Sequence, residues 1–159
     1  MASGGIYDHH LPQTAANYIP LTPISFLERT ADIYPHRTSV VYGKRRYTWA
    51  ATHSRALALA SALRRRDIGT GDTVAILSAN IPEMFEAHFG VPMSGAVLNA
   101  INVRLDSDTI RFILGHGEAK ALIVDPELAP EAQEALDGLD ANILVVDIED
   151  PSFMPDDPN

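Results

Sequence analysis

The sequence predicts an α/β protein built on a doubly wound, mostly parallel sheet, with a small N-terminal hairpin. Three observations carry that prediction. From Thr73 onward, short aliphatic runs alternate with helical segments, the order that builds parallel sheets. The runs Thr73–Leu77 and Ala121–Val124 show little apolar–polar alternation, as strands covered on both faces do. Gly71 to Asn102 reads as a complete β-helix-β unit, which joins parallel strands through a crossover.

Residues 1–18 contain Gly4-Gly5 and no periodicity and are expected to form a flexible N-terminal segment. Residues 19–150 are expected to fold as one unit, with no linker dividing them. Thr22-Pro23 opens a helix by the cap-then-proline rule, with Ile24, Leu27, Ala31 and Tyr34 as its apolar positions and Pro35 as its stop. Thr38 to Tyr42 and Arg46 to Thr48 flank the turn Gly43-Lys44-Arg45 and predict a hairpin. Thr48 can cap a helix from Trp49 to Arg66, in which Ala56, Leu59, Ala60 and Leu63 form one apolar stripe. His53 and Arg55 fall off that stripe, which makes His53 a solvated surface residue. Strands are expected at Thr73–Leu77, Ala96–Ile101, Ala121–Val124 and Ile143–Asp147. Helices are expected at Ile81–Met93, Ser107–Leu114 and Pro130–Leu136. Asn80, Pro82 and Glu83 begin the first of these and Ser94-Gly95 ends it. Asp106 or Ser107 caps the second, and Gly115 or Gly117 closes it. Residues 151–159 contain three prolines and no periodic pattern, so they are expected to be a truncated loop.

Composition narrows the function classes. The 159 residues, 46% apolar and 21% charged, suit one soluble globular domain. The absence of cysteine excludes disulfides, thiolate catalysis and thiolate metal sites. No apolar run reaches the roughly 18 residues of a membrane span. The sequence MASGGIYDHHLPQTAANY lacks the basic and apolar regions of a signal peptide, so a cytoplasmic or peroxisomal location is expected. The net charge of −9 argues against general nucleic-acid binding. Eight of the twelve basic residues lie between Arg37 and Arg66, whereas Lys120 alone faces twelve acidic residues beyond Gly117. Arg64-Arg65-Arg66 reads as the cationic end of a helix, favoured by the carbonyl-end dipole, ahead of an anion site.

Candidates for chemistry are few. The sequence holds no GxxxxGK[ST] loop, GxSxG elbow, HExxH or EF-hand pattern. Gly69-Thr70-Gly71-Asp72 precedes its strand, so it is a tight turn and not a dinucleotide fingerprint. The six histidines show no ligand spacing, and a His9-His10 pair without a third ligand is at best a weak metal site. His88 follows Met84 by four residues and lies near Phe85 and Phe89. It is the one weak candidate for a substrate contact, against the alternative of a core-edge histidine bonded to a backbone carbonyl. His116 is expected to support a helix C-terminus. Asp125 and Asp147 end apolar strands at the sheet edge where such folds bind ligands, and two carboxylates there can hold Mg²⁺. The acidic pair and later lysine of a receiver-like switch are missing, so both aspartates read better as turn residues. Asn99 and Asn102 read as turn residues at a strand exit.

Three segments, PLTPISFLERTADIYP, the YTW after the hairpin, and HFGVPMSGAVLNAIN, resemble the opening of an AMP-forming acyl-CoA synthetase. The resemblance covers about Asn17 to Asp150 and is greatest to plant acyl-activating enzymes. It implies a reaction in which a fatty or aromatic carboxylate attacks the α-phosphate of Mg·ATP, releasing pyrophosphate, and CoA thiolate then displaces AMP. ATP, Mg²⁺ and CoA are therefore implied for the full-length enzyme, with a small-molecule carboxylic acid as partner. The family's Thr/Ser/Gly-rich phosphate loop, ribose-binding aspartate and late catalytic lysine have no counterpart here. The expectation is an N-terminal fragment, itself inactive, with no catalytic, cofactor-binding or metal residue to assign. A noncatalytic doubly wound binding or assembly module is the alternative.

Overall fold

A computed structural model describes residues 14, 16 and 18–149. Most of the expected flexible segment, His9-His10 and the loop 151–159 lie outside the described residues. The chain runs through α1 (Pro23–Ile33), β1 (Thr38–Tyr42), β2 (Arg45–Thr48), α2 (Trp49–Arg64), β3 (Thr73–Leu77) and α3 (Pro82–Ser94). It continues with β4 (Val97–Ile101), α4 (Ser107–His116), β5 (Ala119–Val124), a 3-10 turn (Pro126–Leu128), α5 (Ala129–Asp137) and β6 (Leu144–Asp147).

Helix starts follow local chemistry. Thr22 and Ser25 form a reciprocal capping box, with Pro23 in the first turn of α1. The Thr48 hydroxyl accepts from Ala51 N at 3.2 Å, and the Asp106 carboxylate accepts from Thr109 N at 2.8 Å. Hydrogen bonds from the Thr109 side chain and then its amide hold the Asp106 carboxyl below its ordinary value, so their contribution is complete above about pH 4 and is lost as pH falls through the lowered pKa. In α3 the expected cap is displaced by one residue. Ile81 occupies the N-cap without a side-chain bond, and Asn80 stands exposed before it. Pro82 still removes one orphan donor and Glu83 faces the positive dipole end. Gly95 closes α3 at φ 95°, where a side chain would be strained.

Four parallel strands lie in the order β4-β3-β5-β6, apart from the antiparallel β1–β2 hairpin. Successive residues of β3 and β5 serve opposite faces. Val74, Ile76, Ala121 and Ile123 pack with Leu63 of α2 and Met84, Ala87 and Val91 of α3. Ala75, Leu77, Leu122 and Val124 pack with Ile110 and Leu114 of α4 and Ala132 and Ala135 of α5. Burial on both faces explains why these strands lack alternation. The sheet is doubly wound.

Several expectations shift by a few residues. α2 stops at Arg64 because Asp67 turns into the left-handed region at φ 58° and Ile68 N bonds back to Leu63 O. β5 begins at Ala119, which pairs with Thr73 across a register irregularity. Asn99 lies inside β4 instead of at its exit, where the edge position leaves it half-buried. Asn102 does hold a turn, accepting from Arg104 N at 3.0 Å.

The arginines cap differently from the expectation. Arg64 donates across to Ser94 O and Met93 O, so it caps α3 and not its own helix. On the other face Arg111 of α4 donates to Ala135 O and Glu134 O at the end of α5. Arg65 and Arg66 return to their own helix, at the Ser61 hydroxyl and Ala62 O. Each face thus joins two helices through an arginine on the neighbour's orphan carbonyls.

Candidate functional site

Two regions gather polar side chains. The first is the carboxyl edge of the sheet, where the strand order reverses between β3 and β5 and open α/β folds place ligands. Ser78 and Asp125 meet there, both buried, with Ser78 Oγ 3.4 Å from Asp125 Oδ2. The other Asp125 oxygen accepts from Glu127 N at 3.2 Å, and Asp125 N bonds to Leu77 O at 2.9 Å. Asp125 is therefore the cap of the 3-10 turn, which agrees with its reading as a turn residue. Asp147 ends β6 exposed, and no group of three or more metal-ligating side chains occurs among the described residues.

The second region was not legible as a site. A cleft of about 870 Å³ opens between the hairpin, α2, α3 and the end of β6. Its polar wall is a network of Arg45, Tyr47, Arg55, Glu83 and Glu86. Arg45 pairs with Glu83 and donates to the Tyr47 hydroxyl at 2.6 and 3.0 Å. Arg55 reaches Glu83 at 3.2 Å and Glu86 at 2.5 Å, and its guanidinium lies 5.0 Å from the centre of the Tyr47 ring. Two cations thus face two carboxylates, with the tyrosine ring between the arginines.

The electrostatics follow from burial. Burial works against the Arg45 charge, but hydrogen bonds to Tyr47 and Glu83 outweigh it and raise its pKa. Arg55 is raised first by its bond to Glu86. Burial pushes the Glu86 carboxyl above the usual carboxylate range, and the Arg55 bond and charge offset this only in part. A folded-state pKa above the unfolded value means that stability falls as pH rises through the interval between them. Glu86→Gln is accordingly expected to cost no more than about 1 kcal/mol at pH 7, since partly exposed Arg55 keeps Glu83 and solvent. The variant should also flatten the decline in stability above pH 4.5, measured by urea unfolding between pH 4 and 7.

The histidines occupy other positions. His88 Nδ1 lies 2.8 Å from Met84 O, the expected backbone bond, yet the residue is exposed and not partly buried. It lines a second cleft of about 620 Å³ between β1 and α3, with Phe85 and Phe89 in edge contact at 5.2 Å. His116 ends α4 and stacks on Phe112, in keeping with a helix-terminal role. His53 departs from its expected solvation: it is half-buried, and its Nε2 has no hydrogen-bond partner among the described residues.

A profile of the AMP-binding enzyme family matches residues 27–158. The chain belongs to this AMP-binding enzyme family. An acetate–CoA ligase of Humulus lupulus is 53% identical over 126 residues, covering 79% of this chain and 22% of that protein. A peroxisomal trans-cinnamate:CoA ligase of Petunia hybrida is 49% identical over 127 residues, covering 80% of this chain and 22% of its own length. In structure, an anthranilate CoA ligase solved with anthranoyl-AMP superposes with a TM-score of 0.75 at 25% identity, over 79% of this chain and 24% of that one. The chain thus spans about a fifth of the length of the curated relatives it matches. As an AMP-binding enzyme segment it has its family match running from within α1 to past β6, so the match includes the hairpin, both helix layers and the whole four-stranded sheet.

Proposed function

We propose that this chain supplies the N-terminal α/β layer of an AMP-forming acid–CoA ligase. In this reading the whole enzyme activates a fatty or aromatic carboxylic acid. The carboxylate oxygen bonds to the α-phosphorus of ATP as pyrophosphate leaves, and CoA thiolate then displaces AMP to give the thioester. The observation that carries the reading is the family match across nearly all of the described fold. Relatives named for acetate and trans-cinnamate support an aliphatic or aromatic acid.

The described residues serve as scaffold in this proposal, and the groups that hold ATP and transfer the acyl unit lie outside the 159 residues. Glu83 and Glu86 are each paired with arginine, and Asp125 is engaged by Ser78 and the Glu127 amide. That donor set does not fit Mg²⁺, so no step is assigned to a metal here. His88 is the one position offered for a contact with an acyl group, through the cleft it shares with Phe85 and Phe89. A cytoplasmic or peroxisomal location accompanies the reading, and a peroxisomal relative favours the second. No described helix is long and apolar enough to cross a membrane.

A chimera tests the proposal. The matched segment of the Humulus acetate–CoA ligase is replaced by the corresponding residues of this chain, and acetate-dependent acetyl-CoA formation is measured. Retained activity is expected. A folded, soluble chimera without activity would contradict the assignment.

A further inference from the structure

The β1–β2 hairpin stands apart from the main sheet. It forms its own two-stranded sheet, without hydrogen-bond pairing to the four-stranded one. A hairpin of two strands is at best marginal in water, so packing against its neighbours decides its stability. Clefts lie along both strands: β2 faces the first through Arg45 and Tyr47, and Ser39 to Tyr42 of β1 face the second.

The two ends of the hairpin are held differently. At its base, Trp49 N donates to Arg37 O at 3.0 Å and Ala50 N donates to Pro35 O at 3.1 Å. The Ser39 and Thr52 hydroxyls bond at 2.7 Å, fixing the base to α2. Between Thr38 and Val40 the strand register shifts, a place where a hairpin bends readily. Near its tip, next to the Gly43-Lys44 turn, Tyr42 packs at the margin of the core and Arg45 pairs with Glu83 of α3. Glu83 presents the same oxygen to Arg55, so the tie draws on residues of β2, α2 and α3 together.

We propose that the hairpin is a latched flap. It hinges at the Thr38–Val40 irregularity, is held shut by Arg45 on Glu83, and opens as a unit while the parallel sheet stays folded. Opening widens the cleft that β1 shares with Ile81, Met84, Phe85 and Phe89. Glu83 is a positioning residue for the flap in this scheme. Its charge holds a hairpin that has no ladder of its own to the rest of the fold.

Amide hydrogen exchange of the 159-residue chain at pH 7, read by peptide or by resonance, tests the proposal. In the unmodified chain, residues 39–48 are expected to open at least about tenfold more often than residues 74–77 and 121–124, as separate cooperative units do. Glu83→Gln is expected to speed exchange in 39–48 by about a further tenfold and to leave the sheet within about twofold. Arg45→Met should reproduce that pattern from the other side of the pair. A single opening shared by hairpin and sheet in the unmodified chain would overturn the proposal, a result that depends on no variant folding. Equal acceleration of both regions by Glu83→Gln, or none in the hairpin, would also overturn it.

Discussion

Gly90→Val is expected to destabilise the fold by at least about 3 kcal/mol, a large share of the roughly 5–15 kcal/mol that a domain possesses. Gly90 is where α3 crosses α2. A Cβ at this position would stand 2.8 Å from Leu59 Cδ2, 2.9 Å from Ala56 O and 3.0 Å from Leu59 Cβ. The leucine methyl can rotate away, but a backbone carbonyl cannot move without shifting α2. That helix carries Ala56, Ala60 and Leu63 into the core, so the displacement would spread to the sheet face beneath it. Valine adds two methyl groups beyond Cβ, and its helix propensity, only slightly better than that of glycine, offsets little of the collision. Gly90→Ala should lose less, because about 1 kcal/mol of helix propensity offsets the collision. Urea unfolding followed by circular dichroism measures both. A Gly90→Val protein within about 1 kcal/mol of the parent would show that α2 and α3 do not pack this closely.

The fold was legible where it depends on neighbours in sequence. Thr73–Leu77 was read with the bounds the structure has, and Thr22, Thr48 and Asp106 cap the helices they were expected to cap. Each of those signals lies within a turn or a strand. Asn80 was a reasonable cap by type, but α3 begins at Pro82, which puts Ile81 in the N-cap position without a side-chain bond. Asn99 was misplaced because its polarity suggested a strand exit, whereas β4 sits at a sheet edge that tolerates it.

What sequence could not supply was the apposition of distant segments. Arg55 lies 28 and 31 residues from the two glutamates it joins, and nothing local to any of them signals the pairing. The only trace was an acidic pair three residues apart on α3, which a helix places on one side. Gly90 gave no warning for the same reason: it is an ordinary glycine in a helix until α2 lies against it. Arg64 likewise looked like a cap for its own helix, and only the packing of α2 on α3 turns it to its neighbour's carbonyls. For His88 the spacing from Met84 suggested the apolar side of the helix, but the ring is exposed, and it makes the backbone-carbonyl bond of the alternative reading. The family was readable because the stretch from Gly71 to Asn102 combines core, turn and cap residues in one order.

The assignment of the 159 residues to scaffold is tested most directly by acid-dependent ATP–pyrophosphate exchange. The isolated chain is incubated with Mg·ATP, labelled pyrophosphate and acetate, butyrate or cinnamate, beside the chimeric ligase that carries the same segment. No acid-dependent label in ATP is expected from the isolated chain, and clear exchange is expected from the chimera. Exchange by the isolated chain that requires the acid and scales with protein concentration would contradict the assignment, because it would place the adenylating groups among these residues.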